Sequence, residues 1–357
     1  MNNDLFAVIM AGGIGSRFWP RSKEAKPKHL IRIFGNNSMI QDTVDRISPI
    51  IPKENTFIIT NRIQKPRVKA QLKDIPEENI IDEPFRKNTA ACIALASMLI
   101  KQKNENAIIV NLPSDHLIND VTSFQKTILK AVEFAKKSDG LVTIGIKPSR
   151  PETGYGYIQI DERYVDNSVF PVLTYAEKPN LETARRFIIA GDFLWNSGMF
   201  IWRADIIFKE LKKHMPDLYD EILKLESKIG AVDFDRELVG AYGQLKSISI
   251  DYGLMEKSDN VYCIKGYFDW SDVGSWEEVY YLSDKDNDAN VKIGDIYTEK
   301  TFGSYIFSPK KFTALIGVEQ LIVINTNEAL LICNRENSQE VKQVVDHLRM
   351  HNRADLL

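Results

Sequence analysis

Short, unbroken apolar runs alternate with stretches of helical spacing through the first 150 residues. Residues 5–10 (LFAVIM), 56–60 (TFIIT), 80–81, 107–112 (AIIVNL) and 141–146 (LVTIGI) read as strands, and runs without polar alternation suit strands buried on both faces. Between them Met39, Ile40, Val44 and Ile47 recur at helical spacing, with Asn37 or Ser38 as N-cap. Residues 61–74 read as a polar helix, and residues 90–100, almost wholly apolar after a capping Asn88, as a buried one. A further helix starts near Thr122, with Phe124, Ile128, Ala131 and Ala135 on one face. This alternation predicts an α/β fold: a Rossmann-like, doubly wound, mostly parallel sheet. Ligands in such sheets bind beyond the carboxyl ends of the strands. The glycines after Met10, Glu83-Pro84 and Ser114-Asp115 all fall at such ends.

From Gly154 the pattern changes. Residues 155–158, 169–178 and 193–202 read as strands carrying glycines and aromatics, and residues 203–242 as charged helices. Short strands are expected at 247–251 and 261–264, then an aromatic and acidic loop at 266–276. The polar run 283–290 (SDKDNDAN) separates a domain expected at 1–284 from a small β-rich one at 291–357. The latter holds four short β segments (304–307, 312–316, 321–324, 329–333) and a terminal helix striped by Val341, Val344, Val345 and Leu348.

The chain has 357 residues, beyond the roughly 250–300 at which single cores stop growing. With 46 basic and 49 acidic residues it carries a net charge of −3, which predicts neither a nucleic-acid nor a membrane-surface partner. Cys92, Cys263 and Cys333 are odd in number and widely spaced, which fits a reducing compartment and not a disulfide framework. The first apolar run is six residues long, too short for a signal-peptide core. A cytoplasmic location is therefore expected.

Chemistry concentrates at residues 11–28. Gly12, Gly13 and Gly15 permit a loop whose N–H groups face an anion. Arg17, Arg21, Lys23, Lys26 and Lys28 follow, against the one acid Glu24. Such a loop suits a polyphosphate. It lacks the GxxxxGK[ST] pattern, and Phe18 stands where a dinucleotide GxGxxG loop has its third glycine. The stretch instead resembles the signature of sugar-1-phosphate nucleotidyltransferases through Gly12, Gly13, Gly15, Ser16-Arg17 and Pro27-Lys28. Phe18-Trp19-Pro20 is most like the mannose-1-phosphate guanylyltransferase branch.

Further segments match that family in order: Glu83-Pro84, Asn88-Thr89, Ser114-Asp115-His116, Gly154-Tyr155-Gly156-Tyr157, Glu177-Lys178-Pro179, Asn196-Ser197-Gly198, residues 251–257 (DYGLMEK) and Asp272-Val273-Gly274. The resemblance implies transfer of GMP from GTP to α-D-mannose 1-phosphate by direct attack on the α-phosphorus, with Mg2+ as cofactor. It implies catalytic roles for Arg17 and Lys28, Arg17 on the leaving pyrophosphate. Asp115 and Asp272 are then the metal ligands, Asp269 having a weaker claim, and His116 reads as a residue that supports the ligands from behind or packs, and not as a ligand. Ala11, Gly12, Gly13, Gly15, Ser16, Glu83, Asn88, Thr89 and Ser114 would meet the nucleotide. Gly156, Glu177, Lys178 and Asn196 would meet the sugar phosphate. For residues 251–257 a structural role and a substrate contact both stay open, and for Arg21, Lys23 and Lys26 solvated surface charge is the simpler reading. A homodimer and a small left-handed β-helix at the end of the chain are also implied, though the hexapeptide period is faint. The alternatives are another sugar 1-phosphate or nucleoside triphosphate in the same reaction, and a non-catalytic subunit that senses nucleotide sugars.

Overall fold

A computed structural model describes residues 4–164 and 168–357. In chain order the elements are β1 (Leu5–Met10), α1 (Met39–Ile47), β2 (Thr56–Asn61), α2 (Lys65–Gln71), β3 (Ile80–Glu83), α3 (Asn88–Lys103), β4 (Ile108–Pro113), β5 (Leu117–Ile118), α4 (Val121–Lys137) and β6 (Leu141–Ile146). They continue with β7 (Tyr157–Ile160), β8 (Val169–Ala176), α5 (Leu181–Ala190), β9 (Phe193–Arg203), α6 (Ala204–His214), α7 (Pro216–Glu226), α8 (Phe234–Gln244), β10 (Val261–Gly266), β11 (Trp270–Ser271) and α9 (Trp276–Leu282). The chain ends with β12 (Val291–Glu299), β13 (Tyr305–Ile316), β14 (Leu321–Asn325), β15 (Leu330–Asn334) and α10 (Val341–Met350).

The main sheet has nine strands in the order β3-β2-β1-β4-β9-β6-β10-β8-β7. β8 and β9 run against the others, so the sheet is mostly parallel, as the sequence pattern predicts. β1 shows why its run is unbroken. Phe6 and Val8 pack under α3 and α6, while Leu5 and Ala7 pack under α4. Both faces are covered, so every position is apolar. α3 is walled in by the sheet and by α6 to α8, which explains its lack of a polar face. No helix among the described residues is long and apolar enough to cross a membrane.

Several elements differ from expectation. The helix expected at 61–74 is confined to Lys65–Gln71, because Asn61 Oδ1 accepts from the N–H groups of Ile63 and Gln64 (both 3.1 Å) and closes a turn first. Asn88 does not cap α3; it lies at φ 67° with its Oδ1 on the adjacent Thr89 N–H (2.9 Å), and Lys87 holds the cap position. Residues 247–251 are not a strand. Ile248 N–H donates to Lys87 O (3.3 Å), Ala90 N–H to Ile248 O (3.3 Å) and Ile250 N–H to Thr89 Oγ1 (2.9 Å). The alternating Ser-Ile-Ser-Ile backbone thus pairs with the start of α3 instead of with a sheet. In the tail, β12 is an additional strand, and the first two expected segments merge into β13.

The tail shares its core with the glycine-loop region. Phe18, Trp19, Val273 and Trp276 form one apolar cluster with Tyr305, Ile322, Ile324, Leu331, Val341, Val345 and Leu348. Trp19 Nε1 donates to Leu356 O (3.0 Å), and Trp276 Nε1 to Trp19 O (3.2 Å). Arg21 is not a solvated charge: its guanidinium lies 4.0 Å from the Phe307 ring centroid and donates to Arg32 O. Lys23 pairs with Glu328 (2.8 Å) and Arg349 with Glu24 (3.0 Å). Truncation after Asp288 would strip this cover from Phe18, Trp19 and Trp276, and burial of each such side chain is worth roughly 1.5–3 kcal/mol. The shortened chain is expected to melt lower and to aggregate, read by thermal melts and light scattering. Unchanged stability, mass and turnover would show that the tail adds nothing to the core.

Candidate active site

The site is built from the chain segments that leave the carboxyl ends of β1, β3 and β4, together with the loop between β10 and α9. After Met10 the loop is pinned through its carbonyls: Gln64 Nε2 donates to Gly13 O (3.1 Å) and Ser22 Oγ to Ile14 O (2.9 Å). None of the N–H groups of Gly12, Gly13, Ile14 and Gly15 finds an acceptor among the described residues, so they are available to an anion. Gly15 adopts φ 58°, and a Cβ there would stand 2.8 Å from both Lys28 Cβ and Lys28 N. Only glycine lets the loop close on Lys28. Arg17 sits at the exposed end, with no hydrogen bond or ion pair among the described residues.

Lys28 joins three parts of the chain. Its buried ammonium lies 2.9 Å from Asp115 Oδ2, at the end of β4, and donates to the backbone carbonyl of Asp272. Burial pushes the Asp115 carboxyl up, but the Lys28 charge, with His116 and His29, more than offsets this and holds it down at about 2. Asp272 lies opposite. Burial pushes its carboxyl up to about 6, opposed by Lys28 and supported by the Glu278 charge, while the Tyr155 hydroxyl donates to its Oδ1 at 2.7 Å. Glu278 is held by Ser271 Oγ (2.8 Å), the Gly274 N–H (2.8 Å) and Arg150 (3.2 Å). These groups, of which Glu278 and Arg150 belong to no segment singled out in the sequence, fix the Asp272 loop from behind. Arg17, Lys28, Asp115 and Asp272 line one cavity of about 250 Å³ with Gly15 and Ser16.

His116 lines the same cavity, and burial pushes its imidazole down to about 4, so it is neutral at pH 7. Its Nδ1 accepts from Trp270 Nε1 (3.1 Å), in keeping with a packing role. Asp269 is exposed and engaged through its carbonyl with Asn119 N–H (3.2 Å), outside the cavity.

A second cavity of about 520 Å³ runs from Gly12 and Gly13 past Glu83, Asn88, Thr89 and Cys92 to Gly198 and Asp251. Glu83 is buried in its wall, and burial pushes its carboxyl up to about 8, against a lowering hydrogen bond from the Tyr242 hydroxyl (3.1 Å). Two expected nucleotide residues line neither cavity. Ala11 is fully buried with its N–H on Ile59 O (2.7 Å), and Ser114 is buried with its N–H on Met10 O (3.2 Å). Both sit behind the cavity walls because the strand pairing continues one residue past each strand.

The expected sugar residues form a third group. A Cβ on Gly156 would stand 2.5 Å from Glu177 Oε2 and 3.3 Å from Asn196 Cβ, so the bare backbone is what lets these two side chains converge. Asn196 N–H donates to Gly156 O (2.8 Å). Lys178, at φ 48°, folds its exposed ammonium back onto Glu177. The chain from β1 to the loop after β10 thus gathers cationic, acidic and amide groups along one edge of the sheet.

Comparison with known proteins agrees with this architecture. Residues 6–289 match the nucleotidyl transferase family, and residues 299–348 match the MannoseP isomerase/GMP-like beta-helix domain. Mannose-1-phosphate guanylyltransferase of Klebsiella pneumoniae is 38% identical over 359 residues, covering 98% of this chain and 75% of that protein. The protein of the same name from Salmonella muenchen is 39% identical over 359 residues, with the same coverage. The solved structure of mannose-1-phosphate geranyltransferase from Thermus thermophilus has a TM-score of 0.88 at 28% identity and covers 97% of this chain and 99% of its own. Glycine loop, sheet and relatives point the same way: the chain belongs to the nucleotidyl transferase family.

Proposed function

We propose that this protein transfers GMP from GTP to α-D-mannose 1-phosphate and releases pyrophosphate. The observation that carries the proposal is the convergence of Asp115 and Asp272 on Lys28, beside an Arg17 side chain and glycine-loop N–H groups that have no partner among the described residues. The names of the relatives supply the choice of sugar. In the reaction an oxygen of the sugar phosphate forms a bond to the α-phosphorus, and the bond from that phosphorus to the bridging oxygen of pyrophosphate breaks. The leaving group keeps the electron pair, so no protein nucleophile or proton relay is needed. Catalysis then rests on positioning and charge. Loop N–H groups and Arg17 receive the charge that gathers on pyrophosphate, Arg17 through a bidentate fork. Lys28, anchored at both sides, adds a fixed positive charge.

The donor set fits a hard divalent cation. Asp115 is ionised at neutral pH, and Asp272 is ionised above about 6. Among the described residues no group of three or more His, Cys, Asp and Glu forms a protein-only cage, and Mg2+ ordinarily takes one or two carboxylates with phosphate oxygens and water. Held by Asp115 and Asp272, Mg2+ would supply charge neutralisation on the phosphates.

Support for guanine comes from Glu83. A carboxylate only accepts hydrogen bonds, and guanine presents adjacent N1–H and N2–H donors where adenine presents an acceptor at N1. Tyr242 and Cys92 face the same carboxyl from α8 and α3. At the other end, Glu177 and Lys178 serve the sugar hydroxyls and the 1-phosphate.

Asp115→Asn and Asp272→Asn should each leave a folded protein with kcat reduced roughly 10²-fold or more, since an amide replaces a preorganised charge. Near-normal turnover at saturating Mg2+ would remove that residue from the metal site. Arg17→Ala should lower kcat more than it raises KM for the sugar phosphate, and Lys178→Ala should do the reverse. An unmoved sugar-phosphate KM in the Lys178 variant would contradict its role. Finally, guanine binding requires the ionised form of Glu83, so KM for GTP should fall as pH rises from about 6.5 to 8.5. Glu83→Gln should abolish both that dependence and the preference for GTP over ATP. Identical pH profiles in the two proteins would take Glu83 out of base recognition.

A further inference from the structure

The sugar end of the site contains a carboxylate that the roles above leave unused. Asp251 opens the short helical turn Asp251–Met255, after the 247–251 segment that packs on the start of α3. Its Oδ1 accepts two hydrogen bonds, from Asn196 Nδ2 (2.8 Å) and from the Tyr175 hydroxyl (3.0 Å). Tyr175 stays a donor, because burial and then the Asp251 charge push its phenol well above the ordinary range. Asp251 Oδ2 accepts nothing among the described residues, and no Lys or Arg there pairs with the carboxylate. The side chain belongs to the wall of the 520 Å³ cavity, beside Gly198 and Ser247. One oxygen is saturated and held by two neutral donors, while the other has no partner among the described residues, in a residue that lines the cavity.

Asn196, the residue expected from the sequence to touch the sugar, is by contrast committed to the protein. Its Nδ2 serves Asp251, and its Oδ1 accepts from the Gly198 N–H (3.0 Å) and from Thr143 Oγ1 (3.5 Å). An amide held at both ends is suited to orienting a neighbour. Its backbone and Cβ face Gly156 and so place Asp251 next to the Glu177 group. Three acids, Glu177, Asp251 and Glu256, stand near one another: burial and then the other two charges push the Glu256 carboxyl up. Apart from Lys178 on Glu177, these charges are acidic and do not suit a phosphate. Hydroxyl groups, which are donors to an acceptor-only carboxylate, are the chemistry it fits.

We propose that Asp251 reads a ring hydroxyl of the sugar phosphate through Oδ2, with Asn196 and Tyr175 as its positioning residues. The proposal rests on the sugar-phosphate reading of this site. A buried acceptor built for a substrate hydroxyl penalises an analogue that lacks it, because the acceptor is left unpaired. A hydrogen bond to a charged group corresponds to roughly a 10- to 100-fold effect.

The test is a cycle between the side chain and the hydroxyls. kcat/KM is measured with GTP and with mannose 1-phosphate and its 2-, 3-, 4- and 6-deoxy analogues, for the parent, Asp251→Asn, Asp251→Ala and Asn196→Ala. For the Asp251 variants we expect a loss of roughly 10- to 100-fold on mannose 1-phosphate, carried by its KM, with KM for GTP within about twofold of the parent. One deoxy analogue that is poor for the parent should be no worse than mannose 1-phosphate for the Asp251 variants. Asn196→Ala should weaken the same discrimination, and its effect should not add to that of Asp251→Ala. Thermal melts accompany each variant, and if Asp251→Ala does not fold, the isosteric Asn variant decides. Equal deoxy penalties in parent and variant, or a shift confined to KM for GTP, would overturn the proposal, the latter assigning Asp251 to the ribose. A parent inactive with every nucleoside triphosphate and sugar 1-phosphate would instead sink the proposed reaction. If the parent prefers another sugar phosphate, the same analogue series on that sugar decides between the outcomes.

Discussion

The Lys28 ammonium ties the site together. A buried charge is tolerated only when it is paired and hydrogen-bonded, and Lys28 meets that demand with two groups far away in the chain: the Asp115 carboxylate and the Asp272 carbonyl. The demand therefore fixes the glycine loop, the end of β4 and the loop after β10 against one another. Removing one partner would leave an uncompensated buried charge, which costs roughly 3–5 kcal/mol. The Asp115 side of the pair is intact at neutral pH. Its folded-state carboxyl lies below the ordinary value, so its contribution is present above the normal carboxylate range and is lost only as pH falls toward about 2.

Around this pair, the same segments carry the charged groups of the cavity and the apolar groups of the core. Arg17 and Phe18 border the cavity, and Phe18 and the adjacent Trp19 enter the core shared with the tail. Asp272, Val273 and Gly274 all border the cavity, and Val273, at φ 48°, is at the same time fully buried in that core. Both lips of the 250 Å³ cavity thus rest on the C-terminal strands and helix. The tail carries no group proposed for chemistry, yet the spacing between Arg17 and Asp272 depends on what it packs against.

The group around Gly156 is organised mainly by hydrogen bonds, with the Glu177–Lys178 ion pair beside them. Tyr155 spans the gap between the two ends: its hydroxyl is on Asp272, and the next residue, Gly156, opens the space for Glu177 and Asn196. A single short stretch therefore connects the metal-binding candidates to the sugar-binding candidates, and displacement of one is felt at the other.

By itself, the sequence determined what local pattern can encode. An unbroken apolar run marked β1, and runs with a single polar residue marked β4 and β6, because burial on both faces leaves no room for polar alternation. The glycines and charges of residues 11–28, with the ordered motifs that follow, marked the family and most of the groups now found along the cavities. Local pattern misled where the backbone found a distant partner. Residues 247–251 alternate like a strand but bond to the start of α3, Arg21 reads as solvent-exposed but stacks on Phe307, and the β12 residues pair with β13. Asp251 was legible as a motif position and illegible as an aimed carboxylate, since its donors Tyr175 and Asn196 are 76 and 55 residues away. Only the tertiary structure decided these, because a hydrogen bond or a buried charge is satisfied by what lies beside it in space, and composition and spacing along the chain carry no record of which distant segment that will be.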